Sequence, residues 1–484
     1  MTDENLSQSI QAPTDVAKKR ISGRLIGIIV GGIVLVLATV AVSFALLSGG
    51  GNQPEDVLPK DTVAIAKIDL NPRIGQRVNL IRFLSKFPKA INNFNEEDPV
   101  GSILEQSSVT SDLDWEEIKP WIGNRYAIAL VESSGDLNPV LVISLKDPEE
   151  MKYFFKKNYP DLAIAVIKDY LLIAQDKSVL SVVTSAPTYL SENPDYKSDM
   201  NTLGGDQIAS VWVNLKPISK LTNTLIYDYL YEVGLEQSSN PLQNTNGRIA
   251  IGMHFTPDTF VTDLITVDLN KDEVKVETQS NSLQLIGDLP SDLLGVLSID
   301  GLGDAINDSL LSNDLVRDVL DNVGISTRDL ESIFDGPISV IAVDDNRRDS
   351  DPLFLIRLEP SNPDRTRDAL QRILELSGFD PYDFDSIIKS DGKYIYLSTE
   401  SESLRQGISA LESGAAPLRE DEEFKKTLSE PGNFSLFVNL SRLLPKLDVD
   451  ISQAPVGALG ISIGSDSNDP GVSRTKITVS LKSD

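Results

Sequence analysis

The chain has 484 residues, 40% of them apolar and 24% charged, which is typical of a folded protein and not of a disordered one. Its net charge of −28 argues against nucleic-acid binding, because an acidic surface repels the phosphate backbone. The absence of cysteine excludes disulfides and thiolate chemistry, and the single histidine, His254, excludes a metal site built from two imidazoles of one chain. We predict no cofactor, no metal site and no nucleic-acid partner.

An uncharged, apolar run lies between Leu25 and Leu47. As a helix its 23 residues span about 34 Å, enough to cross a hydrocarbon core of about 30 Å. Basic residues cluster just before this run, in the tail 1–24, and such residues favour the cytoplasmic side of a membrane. The sequence therefore predicts a helix over 25–47 that spans the lipid bilayer of the cell membrane once. The amino terminus is then cytoplasmic and the body extracytoplasmic.

The alternative for this run is a cleaved signal peptide, with Ser43-Phe44-Ala45 as its cleavage site. The apolar core of a signal peptide is about 7–15 residues long, so the run is too long and an uncleaved anchor is favoured. Gly23, Gly27 and Gly31 recur every fourth residue, a small-residue pattern that lets two membrane helices approach closely. This pattern predicts a helix face for a homodimer.

Beyond a glycine-rich spacer the sequence contains two similar segments in tandem. Leu58-Pro59 is matched by Leu289-Pro290, and Val211–Leu215 is matched by Leu436–Leu440, with three further blocks in the same order between them. Conserved order with loops of changed length is the pattern of a tandem duplication. The predicted domains are a cytoplasmic tail (1–24), a transmembrane helix (25–47), a flexible spacer (48–57), a first α+β repeat (58–270), a linker (271–288) and a second α+β repeat (289–484).

Within each repeat, short β-rich runs alternate with helical patterns. The runs 125–131 and 138–145 are joined by a short loop, as are 247–255 and 260–269, and hairpin-length loops indicate antiparallel pairing. We expect the helices to cover one face of each sheet. The predicted fold class is α+β: an N-terminal transmembrane helix followed by two tandem duplicated domains, each a mainly antiparallel sheet packed with helices.

No motif predicts a catalytic site. The nucleophile elbow, the P-loop and the dinucleotide-binding turn do not occur, and the SxxK at Ser386–Lys389 lacks the partner motifs of a β-lactamase. His254 lies opposite Met253 and Phe255 in an alternating strand, which predicts the solvent side. The acid clusters 344–351 and 466–469 are interpreted as solvated turns, with Ca²⁺ binding as the alternative.

One stretch departs from the acidic balance of the chain. Between residues 70 and 95 there are basic residues and no acid: Arg73, Arg77, Arg82, Lys86 and Lys89. On a helix from Leu80, the last three basic residues share one face and the apolar residues share the other. We therefore name Arg77, Arg82, Lys86 and Lys89 as candidates for contact with an anionic surface. The alternative, which the sequence favours, is a helix packed on its own sheet with a solvated basic face.

Three segments, Leu58–Pro72, Gln76–Pro88 and Asp114–Gly123, resemble a bacterial family known only as a domain of unknown function. Members occur largely in actinobacteria and cyanobacteria. The resemblance implies an amino-terminal membrane helix and a long extracytoplasmic region, and it brings no catalytic residues. Trp115, Trp121 and Gly123 match the family pattern, whereas the second repeat departs from it, with Phe334 and Gly336 near the aligned places. These residues are expected to serve packing and a tight turn.

The function predicted from the sequence is a membrane-anchored extracytoplasmic protein of the cell envelope. We expect it to bind or scaffold another envelope protein or polymer without catalysis, since a duplicated frame without a marked site suits a binding surface. One alternative is a hydrolase of wall or glycan polymers that uses paired carboxylates. The other is a carrier of apolar ligands.

Overall fold

The computed structural model describes most of the chain beyond residue 51. It covers residues 52–70, 72–87, 115–159, 162–204, 206–218, 247–268, 282–306, 320, 324–344, 352–376, 378, 380, 383–430, 432–447, 455–465 and 471–482. The predicted membrane helix, the glycines of the predicted dimer face and Lys89 lie outside these residues. Within the described ranges, no helix has the length and apolar content needed to cross a membrane.

In the part of the chain that the structure describes, sixteen strands form one antiparallel sheet. The strands are β1 (Ala64–Asp69), β2 (Ile122–Ser133), β3 (Asp136–Leu145), β4 (Ala163–Ile167), β5 (Tyr170–Ala174), β6 (Ala209–Asn214), β7 (Gly247–Phe255), β8 (Thr259–Asp268), β9 (Gly295–Ile299), β10 (Ile338–Val343), β11 (Leu353–Leu358), β12 (Ile388–Ser390), β13 (Ile395–Leu397), β14 (Phe434–Val438), β15 (Val456–Ser465) and β16 (Val472–Leu481).

Helices connect and cover the strands. They are α1 (Ile74–Ser85), α2 (Trp115–Ile118), α3 (Pro148–Asn158), α4 (Lys177–Thr184), α5 (Pro194–Thr202), α6 (Ser282–Gly287), α7 (Leu302–Ile306), α8 (Thr327–Phe334), α9 (Pro363–Leu376), α10 (Phe384–Ile387), α11 (Ser401–Leu411), α12 (Glu422–Thr427) and α13 (Leu440–Lys446). The α+β class and the antiparallel pairing predicted from the sequence are confirmed.

The strand order is the same in the two halves of the sheet. The first half, β1–β8, runs β4-β5-β3-β2-β1-β6-β7-β8, and the second half, β9–β16, runs β12-β13-β11-β10-β9-β14-β15-β16. The halves join edge to edge through antiparallel pairing of β8 with β16, in which Asp263 faces Lys476. Because corresponding strands pair here in opposite directions, the two halves are related by a pseudo-twofold axis close to this residue pair. The structure is one continuous sheet across both predicted repeats.

Apolar side chains alternate along the strands and build cores on both faces. We call the face that carries Ile65, Trp212 and Phe437 the front face, which α4, α5, α6, α11 and α12 cover. Leu80 of α1 and Met151 of α3 belong to cores on the opposite, back face. The expectation that helices cover one face is therefore wrong. Two-sided cover follows from strands such as β3, where Val140 and Val142 pack on one side and Ile143 on the other.

Two predicted connecting segments are partly folded. Of the predicted spacer 48–57, residues Pro54–Asp56 form a 3-10 turn and Val57 is fully buried, as is Leu58, the first residue of the predicted repeat. Of the predicted linker 271–288, the last residues form α6, in which Ile286 is fully buried. Both predictions are corrected at these residues: polar sequence suggested solvent, but each segment carries apolar side chains that pack against a core.

A close approach of chains explains the glycines of the family pattern. A Cβ atom on Gly123 would lie 2.8 Å from the carbonyl oxygen of Ser144, and one on Gly336 would lie 2.0 Å from that of Glu359. Gly123 lies at the start of β2, and Gly336 comes just before β10. The two glycines stand at corresponding places of the two halves. The expected tight turn is thus a steric requirement of the sheet.

Candidate functional site

The chain joins the sheet at Asn52, beside the carboxyl end of β1. The Asn52 carbonyl accepts hydrogen bonds from the Tyr170 hydroxyl (2.6 Å) and the Arg125 guanidinium (3.2 Å), and its side-chain amide donates to Asp169 (2.6 Å). Arg125 is also paired with Asp69 at 3.0 Å. We call this end of the sheet the tether end, because the predicted membrane helix precedes it in the chain.

Charged side chains hold the residues that follow Asn52. Glu55 forms an ion pair with Lys67 of β1, and the Lys168 ammonium donates to the carbonyl of Asp56 at 2.9 Å. Burial raises the pKa of Tyr170. Its hydroxyl therefore stays protonated and donates to the Asn52 carbonyl at neutral pH. The segment 52–56 is consequently held to the sheet by several independent contacts.

A buried ion pair lies toward the other end of these strands, where Arg248 stands near the start of β7. The Asp199 carboxylate accepts from the Arg248 Nε (2.6 Å), the second Arg248 nitrogen (3.0 Å) and the Trp212 indole (2.8 Å). Asp199 is 3% exposed and the side chain of Arg248 is 10% exposed. The hydrogen bond to Asp199, the largest influence, raises the pKa of Arg248. The Arg248 guanidinium therefore stays charged at neutral pH and is paired with the Asp199 carboxylate.

Two neighbours of the pair carry buried atoms without a partner. Within the described part of the chain, the Tyr196 hydroxyl and one carboxylate oxygen of Glu55 have no hydrogen bond. Burial raises the pKa of Tyr196, and the charge of Glu55 raises it further. A tyrosine held protonated in this way is neither a base nor a nucleophile at neutral pH. The arrangement suits positioning and not acid–base catalysis.

The second half lacks this charge at the corresponding positions. Tyr196 and Trp212 meet edge to face at 5.5 Å, as Phe424 and Phe437 do at 5.3 Å. The same alignment of strands and helices puts Thr427 in the place of Asp199, Ala458 in that of Arg248, and Ile286 in that of Glu55. The polar cluster is therefore a property of the first half alone.

A second group of charges lies at the junction of the halves. His254 Nδ1 is 3.6 Å from Asp263, and Lys476 is paired with Glu430 at 2.7 Å. Arg474 donates to the carbonyl of Thr202, which ties the second half to α5 of the first. Burial lowers the pKa of His254 and raises that of Asp263. At neutral pH the imidazole is neutral and lies between charged groups.

His254 therefore differs from its prediction. The side chain does alternate with Met253, but its face is the front face at the junction, where 24% of the side chain is exposed. Alternation identified the side of the strand correctly. It could not show that charged side chains of the neighbouring strands, Asp263 and Lys476, would lie near His254 on that side.

A groove of about 420 Å³ opens on the front face of the second half. Leu283 of α6, Phe424 of α12 and Leu428 line it with apolar side chains. Asp288 and Arg419 form an ion pair at its rim. Across the ranges that the structure describes, no group of three or more His, Cys, Asp or Glu side chains could hold a metal ion.

The predicted basic surface is divided between different environments. Helix α1 ends at Ser85, so Lys86 follows the helix, and its ammonium pairs with Asp258 at 2.8 Å. Leu80 is 1% exposed and Phe83 stacks on Phe255 at 4.8 Å, as expected for the packed side. Arg82 is exposed and Arg77 half-buried on the outer side. Of the four candidates, Lys86 is thus paired within the body, Lys89 lies outside the described residues, and Arg77 and Arg82 stay candidates for contact with an anionic surface.

Sequence reasoning missed the Asp199–Arg248 pair and the role of Glu55. Asp199 and Arg248 are 49 positions apart, and no local pattern joins them. A signal was present in the duplication itself: aligning the repeats sets Arg248, in the interior of a strand, against Ala458. A charge that replaces an apolar residue at an equivalent interior position indicates a special site.

Comparison of the chain with family models, with curated proteins and with solved structures finds no match.

Proposed function

We propose that the chain is a single-pass membrane protein whose extracytoplasmic body binds or scaffolds other components of the cell envelope without catalysis. The observation that carries the proposal is the fixed attachment of residues 52–56 to the tether end of the sheet. Because residues 52–56 belong to the body, the body begins five residues after the predicted anchor and stays close to the membrane.

We also infer that the body arose by tandem duplication of an eight-stranded α+β unit. The repeated strand order and the pairing of β8 with β16 support this inference. Two copies joined by sheet hydrogen bonds give a long, stiff frame with two front-face surfaces related by the pseudo-twofold axis. Such a frame suits a scaffold, because it presents surfaces at fixed spacing.

The charge distribution supports the same proposal. The first 54 residues carry a net charge of +1, so the residues beyond them carry −29, and most of the body is repelled by anionic headgroups and by nucleic acids. The buried ion pairs of Arg125 with Asp69 and of Arg248 with Asp199 hold the strands and helices of the first half together, which supports a fixed frame for binding. Asp263, whose pKa is raised, faces His254 and Lys476, and its acidic neighbour Glu430 is itself paired with Lys476. This arrangement offers little support for the hydrolase alternative.

Labelling of single cysteines in intact cells tests the topology, and the absence of native cysteine makes every introduced thiol unique. Ser429→Cys lies at an exposed position of the body, and Ser7→Cys lies in the predicted cytoplasmic tail. A membrane-impermeant maleimide should label Ser429→Cys in intact cells and Ser7→Cys only after lysis. The reverse pattern, or release of the chain by alkaline carbonate, would refute the proposal.

The groove on the second half favours one second candidate function, an apolar-ligand carrier. Its walls are the apolar side chains of Leu283, Phe424 and Leu428, and its volume of about 420 Å³ falls within the range of small-molecule sites. A fluorescent fatty acid should then bind to the full chain in detergent. Substitution of Ser429→Trp at the groove wall should abolish that binding, and an unchanged titration would remove the carrier hypothesis.

A further inference from the structure

Helix α1 presents an apolar stripe to solvent. Ile74, Val78 and Ile81 are 72%, 39% and 37% exposed. They are spaced at i, i+4 and i+7, so they form one line along the helix. The opposite side of the helix is already packed, through Leu80 and Phe83, against the back face of the sheet. The stripe is therefore a second apolar surface that the fold of the body does not use.

Basic side chains flank this stripe. Successive residues of a helix are rotated by about 100°, which places Arg77 on one side of the stripe and Arg82 on the other. The helix contains no acidic residue, in a chain with a net charge of −28. Among the residues that the structure describes, neither guanidinium has an ion-pair partner, whereas Arg73 is paired with Asp206 and Lys86 with Asp258.

The helix lies at the tether end of the sheet. The Asn79 side chain donates to the Phe255 carbonyl at 3.0 Å, and the Gln76 side chain accepts from the Phe255 amide at 2.9 Å. These bonds fix α1 beside the β7–β8 turn. Ile74 follows Asp69 by five residues, so the two are separated by at most about 18 Å. Asp69 is joined through Arg125 to Asn52, where the chain enters the sheet.

The chain before Asn52 is short. The predicted membrane helix ends at Leu47, five residues before Asn52, and five extended residues reach at most about 18 Å. The tether end, and α1 with it, is thus held within a few nanometres of the membrane surface. An exposed apolar stripe with arginines on both flanks has the chemistry of a helix that lies in the headgroup region of an anionic bilayer.

We propose that α1 docks on the anionic lipid headgroups of the membrane that anchors the chain. Ile74, Val78 and Ile81 enter the boundary between headgroups and acyl chains, and Arg77 and Arg82 pair with lipid phosphates. This inference rests on the proposed membrane anchorage. Docking at α1, together with the fixed segment 52–56, holds the body at two points and sets the direction in which the long sheet leaves the membrane.

The test uses the full chain in lipid nanodiscs with a single fluorescent label. Val78→Cys carries an environment-sensitive fluorophore within the stripe, and Ile463→Cys, 36% exposed at the opposite end of the sheet, is the matched control. Nanodiscs of phosphatidylcholine alone are compared with nanodiscs that include phosphatidylglycerol. Nitroxide-labelled lipids should quench the Val78→Cys label in the anionic nanodiscs and leave the Ile463→Cys label unquenched.

Charge removal provides a second readout. One basic residue near an anionic surface contributes about 5-fold to binding, so Arg77→Gln with Arg82→Gln should lower the ratio of docked to undocked label about 30-fold. The control removes two exposed arginines from the second half, Arg328→Gln with Arg365→Gln, and should leave quenching unchanged. Equal loss in both double variants would show only a general charge effect and overturn the proposal.

Failure of the proposed membrane anchorage and failure of the proposed α1 docking give different results. A chain that does not insert into nanodiscs contradicts the anchorage, and carbonate extraction of cell membranes measures this independently of the label. A chain that inserts while the Val78→Cys label stays unquenched in anionic nanodiscs contradicts the docking of α1 alone. Quenching that is equal at Val78→Cys and Ile463→Cys would also refute a specific surface.

Discussion

The buried pair of Asp199 and Arg248 yields the sharpest stability prediction. Asp199→Ala removes three hydrogen bonds to a carboxylate, from Arg248 and Trp212, and leaves a guanidinium whose side chain is only 10% exposed. Loss of one partner of a buried ion pair costs about 3–5 kcal/mol, because the remaining charge is desolvated. The Asp195 carboxylate, 58% exposed and 3.5 Å from an Arg248 nitrogen, compensates part of this cost, so the lower end of the range applies. We therefore expect the free energy of unfolding of the first half to fall by about this amount.

The second half supplies the matched control. Replacing the pair by its counterparts there, Asp199→Thr with Arg248→Ala, removes both charges together. Replacement of a complete buried pair by less polar residues is often nearly neutral. The double variant should therefore lose about 2 kcal/mol or less, mainly for the cavity that the arginine leaves and the altered partner of Trp212. The coupling energy between the two positions should exceed about 2 kcal/mol.

Urea unfolding of the full chain in detergent, followed by tryptophan fluorescence, measures these values. The three tryptophans, at positions 115, 121 and 212, all lie in the first half, so the signal reports this half alone. If the double variant lost as much as the sum of Asp199→Thr and Arg248→Ala, each made singly, the charges would not be coupled. A loss below about 1 kcal/mol for Asp199→Ala would show that the pair is not buried in solution.

Two further predictions concern single residues. Burial lowers the pKa of His254 in the folded chain below its ordinary value of 6.5. As the pH falls below 6.5, the unfolded chain therefore binds a proton at this residue more readily than the folded chain does, and the free energy of unfolding decreases. The His254→Gln variant should therefore lose less stability than the natural chain under mild acid in urea titrations, and parallel pH profiles would contradict this. The Asp147 carboxylate caps α3 by accepting from the amides of Glu149 (2.9 Å) and Glu150 (3.1 Å), so Asp147→Ala should cost about 1 kcal/mol. The exposed Asp136→Ala serves as the control in the same thermal melts, and equal melting temperatures for the two variants would refute the cap.

Helix α1 shows which contacts helical periodicity predicts and which it does not. The pattern identified Leu80 and Phe83 as the packed side, and the structure places both in the back-face core. The pattern also grouped Arg82 with Lys86 on one solvated face. The structure pairs Lys86 with Asp258, a residue of the β7–β8 turn far away in sequence. Ion-pair partners depend on which loops meet, and periodicity carries no information about that.

The two connecting segments illustrate the same limit. Residues 52–57 and 282–287 were assigned to a spacer and a linker, because glycine and polar residues dominate around them. Both segments nevertheless cover the front face at corresponding places of the two halves, one through Val57 and Leu58 and the other through Ile286. A few apolar residues suffice when a preformed sheet offers a surface. The sequence alone does not show where that surface is.

The sequence by itself determined the α+β class, the hairpins β2–β3 and β7–β8, the repeated blocks and the absence of thiol chemistry. These properties follow from local alternation, turn length and composition, which act over a few residues. The uncharged run over 25–47 likewise predicts a membrane helix from length and hydropathy alone.

Only the tertiary structure decided that the two repeats share one sheet, with Asp263 of one strand facing Lys476 of the other. It also brought Asp199 to Arg248 and placed α1 at the same end of the sheet as Asn52. Each of these arrangements joins residues far apart in the chain, and their energies depend on burial and on partners that exist only after folding. Long-range geometry therefore created the buried polar cluster of the first half and the surface that we assign to lipid.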